Sequence, residues 1–357
     1  MAQLISNMCS IQSVVPESYI LPPERRPGQL VVQPCKSIPA IDLDGDRNEL
    51  FQEIIKASQE YGFFQLINHG VSEELMKDVL VVAKEFFDLP AAEKKRFFSE
   101  DPKQTCRMKT SIDFAREKVH FWRDSVRHPC HPLEEHIQQM ARKSGSLQFI
   151  VNSQHSLIIV SLYWAFPHRE VFGQYSVEVR NLSLRILDLV CEGLGIEPGY
   201  LGGELRWGQI MSVNHYPRCP DPTLVLGLPK HGDPYLITLL NQGDVPGLHV
   251  LKDEQWVAVE PLPHAFVVNI NHMLQIISNG KLKSADHRVV PSSKVPRTTI
   301  ASFICPSRDV VVEPATSLVN ESNPPLYKSF TFGDFIDSFM KDTHEGIDPL
   351  ERCMIGP

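Results

Sequence analysis

Hydrophobic and polar positions change their period twice along this chain. SIPAIDL (38–44) is a short apolar run of strand character, and Leu50, Ile54, Ile55, Ala57 and Tyr61 within 47–64 recur at helical spacing. GFFQLINHG (62–70) predicts a second strand ending in a turn. Ser72, followed by Glu73 and Glu74, opens another helix through Phe87, because carboxylates are favoured beside the partial positive charge of a helix N-terminus. The longest helical pattern covers 170–195, with Val177, Leu184, Leu187 and Val190 on one face and Gly193 and Gly195 at its end. From about 205 the period shortens. GQIMSVNHY, YLITLL, LHVL, WVAV, AFVVNI, LQIIS, HRVV and TTIASFI are each of strand length, divided by turn signals such as NQGD, KDEQ, PLPH and SNGK. Closely spaced strands of this kind predict an antiparallel barrel or jelly roll.

The pattern divides the chain into an extended, proline-rich lead-in (1–37), a mixed N-terminal region (38–139), an anomalous stretch (140–168), a supporting helix (169–206), the strand-rich domain (207–308) and a C-terminal segment (309–357). The anomalous stretch, MARKSGSLQFIVNSQHSLIIVSLYWAFPH, is apolar but follows neither period. Asn152, Gln154 and His155 interrupt it too often for a membrane span. It adds about 25 residues where a short connection is expected, and it reads as translated non-coding sequence from a retained intron or a faulty gene model. A genuine insert would have to bury LIIVSLYWAF or expose an apolar patch that invites association.

A chain of 357 residues can bury a large core. Its net charge of −8 excludes the broad basic footprint of a nucleic-acid binder and gives no pull toward anionic membranes. Eight cysteines are scattered with no C-x-x-C pair, as in a reduced intracellular protein. Neither terminus carries a sorting signal, so a cytoplasmic monomer acting on a small molecule is expected.

Candidate chemistry centres on LPKHGDPYLITLLNQ (228–242). If this is a strand, His231, Asp233 and Tyr235 share a face, because alternate side chains point the same way. A lone H-x-D is usually incidental, but KSADHRVV supplies His287 at the start of another strand. Two histidines and a carboxylate form the facial triad of non-haem iron, with positions left open for substrate and oxygen. A zinc hydrolase uses the same donors, so the triad alone leaves the metal open. In VPRTTIASF, Arg297 and Thr299 share a face; the guanidinium fork and a hydroxyl suit the distal carboxylate of a dicarboxylic cosubstrate. Asn214 and Tyr216 in SVNHYPRCPDP are also two apart. Taken singly, Arg297 fits an exposed salt bridge and Tyr216 a core tyrosine. RHPCHPLEEH (127–136) is rich in histidine, yet Pro129 and Pro132 break any helix there, which predicts a loop against the barrel mouth.

N-x-Y-P, H-x-D, H-R-V and R-x-[ST] in this order resemble the plant iron(II)/2-oxoglutarate-dependent dioxygenases, over residues 38–139 and 167–345. IDLDGDRNELFQEIIKASQEYGFFQLINHGV resembles their N-terminal region and PGLHVLKDEQWVAVEPLPHAFVVNI their barrel. YSVEVRNLSLRILDLVCEGLGIEPGYL, NPPLYK and HFWRDSVRHPCHPLEEHI are most similar to hyoscyamine 6-dioxygenase-like members. The resemblance implies an α+β, mainly β fold: a double-stranded β-helix (jelly-roll) core with N-terminal helices and a long supporting helix. It implies Fe(II) on His231, Asp233 and His287, with the far carboxylate of 2-oxoglutarate on Arg297 and Thr299, helped by Tyr216. Asn214 would orient the near end. O2 is then the second cosubstrate and ascorbate the reductant, and a small specialised metabolite is oxidised with release of succinate and CO2.

Three departures from the family pattern stand out. Gly232 lies where Thr or Ser is usual, Thr299 replaces the usual Ser, and VNINH replaces V-N-I-G-D. Asn271 is therefore expected at a turn of positive φ, which asparagine tolerates. Two other readings compete: an inactive binding protein on the same barrel, disrupted by the insert, and a zinc- or iron-dependent hydrolase or isomerase, for which Arg297 and Thr299 would be superfluous. Candidate substrate contacts are Tyr235 and Phe303 on the ligand-bearing faces, Phe121 in the region capping the mouth, and Glu117 for an amine, with Lys118 beside it weakening that match.

Overall fold

The computed structural model describes residues 4–8, 13–28, 38–101, 104, 106–132, 169–345 and 347–356. The anomalous stretch 140–168 lies outside the described residues, apart from the backbone of the helix that begins at Arg169 just after it.

Two sheets face each other across a narrow cavity. The larger contains β1 (Ala40–Asp42), β2 (Phe63–Ile67), β3 (Arg107–Thr110), β4 (Asp124–His131), β5 (Gly208–Tyr216), β7 (Ile237–Asn241), β10 (Phe266–Ile270) and β12 (Arg297–Cys305). Their spatial order is β1-β2-β10-β7-β12-β5-β4-β3. The smaller holds β6 (Leu228–His231), β8 (Leu248–Lys252), β9 (Gln255–Ala258) and β11 (His287–Val289) in the order β6-β11-β8-β9. This is the expected jelly-roll core.

Period-two alternation assigns the large sheet's two faces. Phe64, Leu66, Leu239, Val268, Ile300 and Ile304 join the main core, packed against helices Glu73–Asp88 and Arg169–Leu194. Their neighbours Phe63, Leu240, Val267 and Ala301 join a second cluster, with Tyr216, Leu248 and Val289, on the cavity side. The helix Glu73–Asp88 presents Leu75, Val79, Val82, Phe86 and Phe87 to the sheet, and the Ser72 hydroxyl accepts from Leu75 N at 3.4 Å to cap it. Among the described residues no helix is long and apolar enough to cross a membrane, and the six described cysteines are free thiols.

β1 to β4, from the N-terminal region, complete the same sheet as β5, β7, β10 and β12. Two sequence readings change. LQIIS lies mostly in the helix His272–Ile277: Met273, Leu274, Ile276 and Ile277 are buried at helical, not alternating, spacing. Residues 127–131, expected in a loop, belong to β4. Pro129 is tolerated there because β3 pairs with β4 only as far as Arg127, leaving the next residues at a sheet edge that needs no further donor. The described part of the lead-in is anchored: Ile5 N and Ser6 N donate to the Asp124 carboxylate at 3.1 and 2.8 Å, and Ile5 and Tyr19 pack around Trp122.

Candidate active site

β6 ends at His231, and the chain then turns through Gly232 to Leu236 before β7. The turn brings Asp233 into the cavity, while pairing of His287 with His231 across β6 and β11 brings in the second imidazole. Asp233 Oδ1 lies 3.8 Å from His231 Nε2 and 3.9 Å from His287 Nε2, and the three potential ligand atoms all fall within 4.8 Å of one another. Each histidine turns Nδ1 away, toward Pro229 O at 2.8 Å and Ala285 O at 3.4 Å. That contact fixes the tautomer that leaves Nε2 a free donor for a metal.

The second carboxylate oxygen is held from behind. Thr238 Oγ1 donates to Asp233 Oδ2 at 2.7 Å and accepts from Asn271 Nδ2 at 2.9 Å, and Asn269 Nδ2 adds a longer contact at 3.4 Å. Burial opposes the Asp233 charge, but the His287 and His231 imidazoles and these donors outweigh it and hold the carboxyl below its usual range. Burial, reinforced by His287, pulls the His231 imidazole down to about 4. Two imidazoles and one carboxylate are the donor set that suits Fe(II).

The register then lines up the other candidates. Arg297 lies opposite Tyr216 and Thr299 opposite Asn214 on β12 and β5. All four line the cavity with the triad, as does Phe303; the cavity measures about 90 Å³. Arg297 is 1% exposed. Its Nε donates to Val245 O at 2.9 Å, its guanidinium carbon stands 5.5 Å from the Tyr216 ring centroid, and Nη2 has no hydrogen-bond partner. A buried cation with a spare donor is costly unless an anion completes it. Gly247, at φ +153°, permits this placement: a Cβ there would stand 2.6 Å from Val290 O and 3.3 Å from Arg297 Cδ. A wider cleft of about 420 Å³, lined by Arg47, Arg185 and Asp188 among others, lies among the helices and holds no cluster of metal donors among the described residues.

Three suggested substrate contacts do not line the cavity. Tyr235 falls past the end of β6, where Gly232 and Pro234 end strand alternation; its hydroxyl bonds Arg127 and its ring packs behind Phe303 at 5.0 Å. Phe121 packs with Leu21 and Leu226. Glu117 organises its own loop, accepting from Ser111 Oγ and from the Ile112 and Asp113 amides at 3.0 and 2.7 Å. Asn271 has φ −110°, extended rather than left-handed, and its side chain serves the Thr238 relay. The departures at 232 and 272 meet each other: a Cβ on Gly232 would lie 2.4 Å from His272 Cε1. The imidazole fills the space a larger residue at 232 would need. Sequence reasoning missed Thr238, Asn269 and Asn271. Their signal was a polar residue inside or ending an otherwise apolar run, in LITLL and FVVNIN.

The jelly roll and a His-Asp-His centre beside a buried arginine define a non-haem iron oxygenase. The profile of the 2OG-Fe(II) oxygenase superfamily matches residues 207–306, and that described as non-haem dioxygenase in morphine synthesis N-terminal matches 38–146. The chain is 39% identical to hyoscyamine 6-dioxygenase of Hyoscyamus niger, over 98% of this chain and 99% of that protein. It is 37% identical to flavanone 3-dioxygenase 2 of Oryza sativa subsp. japonica, over 94% and 93%. The crystal structure of JOX2 in complex with 2OG, Fe and JA superposes with a TM-score of 0.81 at 32% identity, covering 100% of this chain and 98% of that one. The chain belongs to the 2OG-Fe(II) oxygenase superfamily, whose members use iron and 2-oxoglutarate, and it is an oxidoreductase.

Proposed function

We propose that this protein is a 2-oxoglutarate-dependent dioxygenase that adds oxygen to a small specialised metabolite, with His231, Asp233 and His287 as the iron ligands. The observation that carries the reading is the pairing of a complete triad with the spare Nη2 donor of buried Arg297. Iron and 2-oxoglutarate together supply the power to oxidise substrate with O2, yielding succinate and CO2.

The protein's own groups hold and orient. Asp233 supplies the anionic ligand, fixed by Thr238 and Asn269 so that Oδ1 faces both Nε2 atoms. Arg297 and Thr299 hold the far carboxylate of 2-oxoglutarate, and the Tyr216 ring walls it in. Asn214, whose Oδ1 accepts from Arg123 at 3.3 Å, orients the near end. The apolar walls, Leu228, Leu240, Val289 and Phe303, exclude water from the reacting atoms.

The test is a screen of plant metabolites with purified protein, Fe(II) and 2-oxoglutarate, read by succinate release and product mass. The reading expects release that requires both iron and 2-oxoglutarate, and a product one oxygen atom heavier than its substrate. Substrate turnover that ignores 2-oxoglutarate would contradict it.

A further inference from the structure

Beyond β5 the cavity-facing side of the large sheet is cationic. Arg127 pairs with Ser212 and Ser125 with Asn214 across β4 and β5, while Arg107 pairs with Arg127 and Lys109 with Ser125 across β3 and β4. Paired residues share a face, so Arg107, Lys109 and Arg127 lie on the side of Asn214. Arg123, just before β4, lines the cavity itself.

No carboxylate pairs with any of the four among the described residues. Arg107 Nη1 donates to Glu100 O at 3.3 Å, Lys109 Nζ to Ile112 O at 2.8 Å, and Arg127 to the Tyr235 hydroxyl. Arg123 gives Nη1 to Asn214 Oδ1 at 3.3 Å and Nη2 to Ser111 O at 3.2 Å; it is 8% exposed, and its Nε has no partner. The carboxylates that act on them stand farther off: Asp101 and Asp113 attract Arg107, Glu117, held by its own loop, attracts Lys109 and Arg123, and Asp233 attracts Arg127. Burial, and then repulsion from Arg123, Arg127 and Arg107, pulls the Lys109 ammonium down to about 7. Four cations thus crowd this edge without a close ion pair among the described residues, an arrangement that favours an anion over the amine that Glu117 alone would suggest.

We propose that the cationic edge is the substrate's subsite and that the substrate is a small carboxylate, its anionic group meeting Arg123, the one of the four that lines the cavity, with Arg127 and Lys109 adding their charge from the adjoining strands. Its apolar body lies against Phe303, Leu228 and Val289, between that edge and the two histidines. The proposal rests on the oxygenase reading above, with Arg297 reserved for 2-oxoglutarate.

The full chain, loaded anaerobically with Fe(II) and 2-oxoglutarate, is titrated with benzoate, phenylacetate and cinnamate, each against its own primary amide. Basal succinate release without added substrate is measured in parallel under air. Charge-assisted pairing makes each acid bind about tenfold to a hundredfold more tightly than its amide. Arg127→Gln and Lys109→Gln each shrink that ratio, whereas Lys118→Gln, at an exposed position, leaves it unchanged. Equal binding of acid and amide, binding of neither, or a ratio preserved in both variants would overturn the proposal. So would a rise in the apparent KM for 2-oxoglutarate as the sole effect of the two substitutions, since the edge would then serve the cosubstrate. Absence of basal succinate release is a separate failure, that of the oxygenase reading, and the acid–amide ratio still decides the anion preference.

Discussion

At the iron end of the cavity the carboxylate of Asp233 has each oxygen committed: Oδ1 toward the two imidazoles, Oδ2 to Thr238 and Asn269. At the β3–β4 edge, four cations share backbone carbonyls, a phenol and an amide, with no carboxylate in ion-pair contact among the described residues. A centre that must hold a metal in one geometry is closed by a hydrogen-bond network. An edge that is to receive an incoming anion keeps its cations out of close ion pairs. Arg297, which lines the same cavity as the triad, belongs to the second type, since its Nη2 is as unpartnered as the Arg123 Nε.

The largest effect that can break this contrast is at Asp233. Asp233→Ala removes the only anionic donor of the triad, and succinate release should fall to background with loss of iron affinity. Full turnover by that variant would remove the carboxylate from the centre. Next comes Arg297→Lys, which keeps charge but loses the fork. The apparent KM for 2-oxoglutarate should rise about tenfold to a hundredfold before iron affinity changes, as steady-state kinetics at fixed iron will show.

Thr238→Val probes the support behind the carboxylate. Loss of such an outer hydrogen bond typically costs about tenfold or more in metal affinity, measurable by competition with a chelator; an unchanged affinity would make the Asn271–Thr238–Asp233 chain a packing feature only. The smallest effect concerns the back of the turn. Gly232→Thr drives a side chain into His272, whose ring is boxed in by Phe335 and Phe339 at 6.2 and 6.0 Å. Overpacking of this kind costs about 1–3 kcal/mol of stability. Combining it with His272→Ala should recover part of the loss in thermal unfolding, and strictly additive changes would show that the two positions do not communicate.

The contrast also explains what could be read from the chain. His231, Asp233, Arg297, Thr299, Asn214 and Tyr216 were legible because each sits two residues from a partner on or beside a strand, where parity decides orientation. Parity misled at Tyr235, since the strand stops at His231 and Gly232 and Pro234 redirect the backbone. LQIIS misled because three closely spaced apolar residues suit a buried strand as well as a short buried helix. The cationic edge was not legible at all. It exists only because β3 and β4 pair onto β5, bringing Arg107 and Arg127 alongside Ser212 from far along the chain, and nothing local to either segment announces that pairing.

The central claim is that donors from separate strands form one iron centre that also organises 2-oxoglutarate. Anaerobic calorimetric titration of the intact protein and of His287→Ala with Fe(II), then with 2-oxoglutarate, tests it most directly. His287 is the ligand contributed from outside the H-x-D turn, and its partner strand β6 keeps its neighbour β11 through the backbone. The account predicts a single Fe(II) per chain in the intact protein, tighter 2-oxoglutarate binding once iron is present, and loss of both in a variant that still unfolds cooperatively. A His287→Ala protein that binds iron and 2-oxoglutarate as the intact protein does would contradict it.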